Sequence, residues 1–174
     1  MVLGPLVSFY LGESTDDRGR YIAEIHSWND ESLELTHDYI QWLFPLKARS
    51  AWNRTAPILD AAEIDGFRSD PRLRARLIAS FRLMLRFYGL ECDDGAESVY
   101  IRPAGNYSER KRNWLAPGNH NYLRITRILT SLRILGLEQY SKSFMVFLDG
   151  VYNEEGDRIG KVSYGYWKSA ASNT

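Results

Sequence analysis

Few residues in this chain can do chemistry. It carries three histidines, His26, His37 and His120, and one cysteine, Cys92. Three imidazoles can hold a zinc ion and leave one position open. Here each lies on a different segment, and the short-range ligand pair usual in zinc sites is missing, so no metal is expected. Cys92 sits within Glu91-Cys92-Asp93-Asp94, where the flanking carboxylates oppose a thiolate and hence a nucleophile. A single cysteine also builds no disulfide framework. There is no G-x-S-x-G elbow, zinc-protease helix, phosphate loop or dinucleotide fingerprint, and no cofactor is expected.

Two constellations remain. On a helix over 120–135, His120, Arg124, Arg127 and Ser131 form a strip beside an apolar face of Ile125, Ile128, Leu129, Leu132 and Leu135. His120 and Asn121 fall in the first turn, whose free N–H groups attract anions, so a carboxylate or phosphate can bind where the strip meets the helix start. Alternatively, Arg124 and Arg127 pair internally with acidic groups, because structural ion-pair networks mimic sites. The second constellation is Thr36 to Pro45, where His37 and Gln41, four apart, share a turn of surface and can line a pocket beside Trp42. The same side chains can instead satisfy nearby backbone groups.

The elements that must position these residues are mostly helical. Tyr21, Ile22, Ile25 and Trp28 recur at helical spacing, and Asn29-Asp30 can cap a second helix from Leu33 through Phe44, stopped by Pro45. Asp60 and Glu63 have capping-box spacing for a short helix ending near Phe67. Asp70 and Pro71 start, and Gly89 ends, a helix that is apolar on nearly every side, which suggests central burial. Residues 90–105 read as a loop with one short hairpin near 97–102. Further helices are expected at 107–115, 120–135, 137–151 and 159–168, the last weakened by Gly160 and Gly165. The expectation is an all-α, irregular bundle of six to eight helices, one domain over 1–168 with a disordered tail at 169–174.

Composition narrows the partners. The 174 residues are 44% apolar and 25% charged, near globular averages, and no stretch has the roughly 18–20 apolar residues of a membrane span. The opening MVLGPLVSFYLG lacks basic residues and is interrupted by Gly4-Pro5, so no signal peptide is expected and a cytoplasmic location is. Charge is balanced overall but blocked: 5 basic and 11 acidic side chains in residues 1–66, then 13 and 6 in residues 67–133. A pI of about 6.8 argues against nucleic acid, although Arg72, Arg74, Arg76, Arg82 and Arg86 form a basic run.

The run His37-Asp38-Tyr39-Ile40-Gln41-Trp42-Leu43-Phe44-Pro45-Leu46 resembles a hallmark of the opioid growth factor receptor conserved domain. So does His120-Asn121-Tyr122-Leu123-Arg124-Ile125-Thr126-Arg127-Ile128-Leu129, with Phe9-Tyr10-Leu11, His26 and Leu83-Met84-Leu85 in support. The likeness covers nearly the whole chain, and the compact form resembles a short stand-alone microbial member. It implies a receptor-like domain. Animal members are described as binding the enkephalin pentapeptide, associating with the nucleus and its membranes, and restraining proliferation. His26, His37, Gln41, His120, Asn121, Arg124 and Arg127 all fall on motif positions.

The expected function is thus a non-catalytic binding module for a peptide or protein segment, with His37, Gln41, Trp42, His120, Asn121, Arg124 and Arg127 as candidate ligand contacts. The alternative is an enzyme acting on an anionic or phosphorylated small molecule, metal-assisted through histidines.

Overall fold

The described residues are 4–51, 53–95 and 98–172 of a computed structural model. Among them are ten helices and one two-stranded sheet, so the chain is mostly α. It divides into two units, Met1–Leu83 with Ile134–Gly136, and Met84–Arg133 with Leu137–Thr174.

The first unit begins with a helix the sequence does not announce. Gly4-Pro5 reads as a break, yet proline's missing N–H costs nothing at a first helical position, and α1 runs Pro5–Leu11 to a left-handed cap at Gly12. Glu63 secures its start: the buried carboxylate accepts the Leu6 N–H at 3.0 Å. This diverts half of the expected capping box. Asp60 still accepts the Glu63 N–H at 2.8 Å and caps α5 (Ala61–Ser69), while the Glu63 side chain turns to α1. Between them lie α2 (Ile22–His26), α3 (Asp30–Leu35) and α4 (Ile40–Leu43).

The single helix expected through Phe44 is therefore two. Thr36 is extended, the Tyr39 hydroxyl donates to the Leu33 carbonyl at 3.1 Å, and Asn53 donates to the Asp38 carbonyl at 3.1 Å. Long-range contacts thus take the acceptors that a continuous helix would use, at residues of low helix propensity. Tyr10 packs edge-on against Phe67 at 4.7 Å, and Phe9 meets Trp42 at 5.1 Å.

Helix α6 (Pro71–Tyr88) contributes residues to both units. Its later turns are buried on most sides (Phe81, Leu83, Met84, Leu85, Phe87 and Tyr88), and only Arg82 and Arg86 are exposed there, in line with the expected burial. Gly89 closes it at φ 77°. A Cβ there would lie 2.9 Å from the Tyr107 Cα, so both the conformation and the space require glycine.

In the second unit, β1 (Leu90–Asp94) pairs antiparallel with β2 (Val99–Pro103), Cys92 opposite Ile101. This hairpin is longer than the one expected near 97–102, where residue 97 lies outside the described set. Arg102 crosses it to Asp93 at 2.7 Å and Glu91 at 2.5 Å. Then come α7 (Tyr107–Trp114), α8 (Asn121–Ile134), α9 (Glu138–Ile159) and α10 (Lys161–Ala171). Trp114 donates to the Tyr88 carbonyl at 3.1 Å and Trp167 to the Tyr122 carbonyl at 3.0 Å, so both buried indoles are satisfied.

Helix α9 continues beyond the expected end at Val151 to Ile159, with a non-helical turn at Glu155. Gly160, at φ 78°, separates it from α10. Residues 169–171, expected to begin a disordered tail, belong to α10: Ala170 and Ala171 are buried, and Arg133 donates to the Ala170 carbonyl at 2.9 Å. Residues 173 and 174 lie outside the described set. Among the described residues no helix is long and apolar enough to cross a membrane.

Candidate functional site

The histidines fall in different units. His26 and His37 belong to the first and His120 to the second. His26 Nε2 is 2.9 Å from Ser80 Oγ, a buried hydroxyl that itself donates to the Arg76 carbonyl at 3.1 Å. Burial, aided by the nearby Arg76 charge, pushes the His26 imidazolium down to about 4. The Tyr10 hydroxyl donates to the Leu43 carbonyl, and burial raises its ionisation well above the ordinary phenol range. Among the described residues no group of three or more His, Cys, Asp or Glu is placed to hold a metal.

The motif around residue 37 forms a polar seam in the first unit. Asp38 bridges Arg18 Nε at 2.9 Å and Arg20 Nη2 at 2.8 Å, and buried Asp16 takes Arg20 Nε at 2.7 Å. Those guanidiniums hold the Asp38 carboxyl below its ordinary range despite partial burial. Trp42 Nε1 donates to Asp17 Oδ1 at 2.9 Å, and the Thr55 hydroxyl reaches the other oxygen of Asp17. Asn53 Oδ1 accepts from the backbone N–H groups of Thr55 and Ala56. Gln41 is buried, with its amide nitrogen 3.2 Å from the Asp38 carbonyl and 3.3 Å from that of His37. His37 itself is exposed. Gln41 and Trp42 are thus turned inward to tie loops, and sequence spacing carries no signal for the Asp16, Asp17, Arg20 and Asn53 that meet this motif.

The strip on α8 is also largely inward. Asn121, Arg124 and Ser131 are buried, whereas His120 is exposed. Asn119 Oδ1 accepts the Asn121 N–H at 2.9 Å, as a capping residue does, and Asn121 Oδ1 accepts from Arg124 Nη1 at 3.3 Å. Burial lowers the Arg127 guanidinium to about 10, a mark of a desolvated cation rather than a solvent-facing one. On the basic run of α6, Arg72 is held by Asp70 at 2.7 Å.

An open concavity lies elsewhere in the second unit. A groove of about 360 Å³ is walled by Val99 and Ile101 of β2, Tyr107 of α7, and Val146 and Phe147 of α9, with Glu154 also in its lining. That volume falls in the range of small ligand sites, roughly 300–1,000 Å³. Tyr107 and Phe147 meet edge to face at 5.9 Å and form an aromatic wall. Ser143 Oγ donates to the Val99 carbonyl at 2.7 Å and pins the hairpin to α9. Val146 is 68% exposed although apolar, and Gly150 leaves open space where a side chain would stand. The signal was present in the sequence, since Ser143, Val146, Phe147, Gly150 and Glu154 recur at steps of three and four. It stands off the core face of Phe144 and Leu148, so core periodicity conceals it.

The opioid growth factor receptor (OGFr) conserved region matches residues 5–171. The chain belongs to the opioid growth factor receptor family. It is 39% identical over 145 residues to the opioid growth factor receptor of Mus musculus, covering 81% of this chain and 22% of that protein. To the Homo sapiens receptor it is 40% identical over 147 residues, 82% of this chain and 21% of the relative. To opioid growth factor receptor-like protein 1 of Mus musculus it is 39% identical over 133 residues, 75% and 28% of the two chains. The chain therefore spans between about a fifth and three-tenths of the length of the curated family members it matches. No solved structure matches it.

Proposed function

We propose that this chain is a recognition domain that holds a peptide or protein segment in the groove between β2, α7 and α9. The observation that carries this reading is the groove itself: an apolar concavity with two ring walls and an exposed valine, left open by Gly150. Exposed apolar surface of this kind marks interaction sites. Membership in a family whose relatives are named receptors supports a ligand-binding role for the shared region. In this reading Gln41, Trp42, Asn121 and Arg124 are scaffold residues, because each is buried and bonded to its own surroundings. His37, His120 and Arg127 lie outside the groove lining and supply no contact there.

The test is selection of a displayed random peptide library on the chain, followed by affinity measurement on Gly150→Trp. The helix at Gly150 accepts a side chain without a clash, and a non-glycine residue favours helix there, so the variant is expected to fold. An indole at that position fills the groove. Selected peptides that lose at least tenfold in affinity support the reading, and peptides that bind the variant unchanged defeat it.

A further inference from the structure

The groove is lined mainly by apolar side chains and by one carboxylate, that of Glu154. Two acids, Glu154 and Glu155, are neighbours in α9, and their situations differ. Glu155 is engaged twice, by Lys111 at 2.7 Å and by Arg158 Nε at 3.4 Å, which together hold its carboxyl below the ordinary range. The backbone at Glu155 is non-helical (φ −128°, ψ 24°). Glu154 is exposed, lines the groove and has no ion-pair partner among the described residues. Lys111 sits 5.9 Å from the Tyr107 ring centroid, but its charge is matched by Glu155. Burial and, after it, the carboxylates of Glu154 and Glu155 push the Tyr107 hydroxyl up to about 12, so this aromatic wall stands in a negative field.

A mainly apolar trough with one unpaired carboxylate in its lining is complementary to one kind of side chain, a long aliphatic stem with a cationic head. Lysine and arginine bury their stems along apolar surface while the charged group seeks a partner. The ring of Tyr107 adds a face that attracts cations. We propose that the occupant of the groove is a protein segment bearing a lysine or arginine, its stem along Ile101, Val146 and Phe147 and its head on Glu154. This rests on the groove being the binding site and adds the charge of what it binds.

The experiment uses four blocked pentapeptides, Gly-Leu-X-Leu-Gly, with X arginine, lysine, norleucine or glutamate, titrated into the isotope-labelled chain and read by backbone amide shifts. The arginine and lysine peptides are expected to move resonances of residues 99–107 and 143–154 and to bind roughly fivefold to tenfold tighter than norleucine, as a partly desolvated charge pair does. The glutamate peptide is expected to bind weakest. Glu154→Gln should bring the arginine and lysine peptides to the norleucine affinity and leave norleucine binding unchanged, and 0.5 M salt should do the same. Equal affinity of all four peptides in the groove would overturn the cation requirement and leave the groove as the binding site. Absence of shifts there with every peptide would overturn both.

Discussion

The neutral His26 makes a sharp demand on stability. Its ring Nε2 lies 2.9 Å from the buried Ser80 hydroxyl, and burial with the Arg76 charge lowers it from 6.5 to about 4. Each tenfold change in proton affinity is worth about 1.4 kcal/mol, so charging this ring in the folded chain costs about 3 kcal/mol more than in the unfolded chain. A histidine lowered on folding contributes stability that is complete above the unfolded value near 6.5 and is lost as pH falls toward 4. Urea unfolding at pH 7.5 and pH 4 should show that loss in the native chain, and His26→Gln should lack it. The pH-dependent part of stability should then differ between the two by about 3 kcal/mol. With three histidines in the chain, the ring Cε1 protons can be followed individually by NMR. A His26 signal that titrates near 6.5, or a pH dependence equal in the native and Gln proteins, would refute the assignment of a half-buried neutral ring.

Other consequences follow from the packing. Glu63→Ala removes the acceptor at the start of α1 and should cost about 1–2 kcal/mol by denaturant titration. Glu63→Gln keeps an acceptor for the Leu6 N–H and should cost less than Glu63→Ala, about 0.5 kcal/mol or below. Gly89→Ala combines a left-handed backbone with a Cβ 2.9 Å from the Tyr107 Cα, and a loss of about 2–4 kcal/mol is expected in thermal unfolding.

The sequence announces most helices because their stop signals are local. Asp70-Pro71 and Gly89 bound α6 almost residue by residue, and Asn119 with Gly136 bounds α8. What local rules miss is decided by distant partners. The break between α3 and α4 depends on Arg18, Arg20 and Asn53 claiming Asp38, and the capping of α1 depends on Glu63 from another helix. The same holds for function. In the two motifs that look chemical, around His37 and His120, Trp42 bonds to Asp17 and Arg124 to Asn121, while His37 and His120 themselves are exposed. The groove residues look ordinary in sequence because Val146, Gly150 and Glu154 gain meaning only when β2 and Tyr107 stand opposite them.

The central claim is that the groove of the second unit is where this family domain holds its ligand. Hydrogen exchange on the chain with a library-selected peptide, measured for the native protein and Gly150→Trp, tests it most directly. The account predicts protection confined to residues 99–107 and 143–154 in the native chain, and none in the variant at an unchanged melting temperature. Protection that maps instead to residues 16–55 or to the start of α8, and persists in Gly150→Trp, would contradict it.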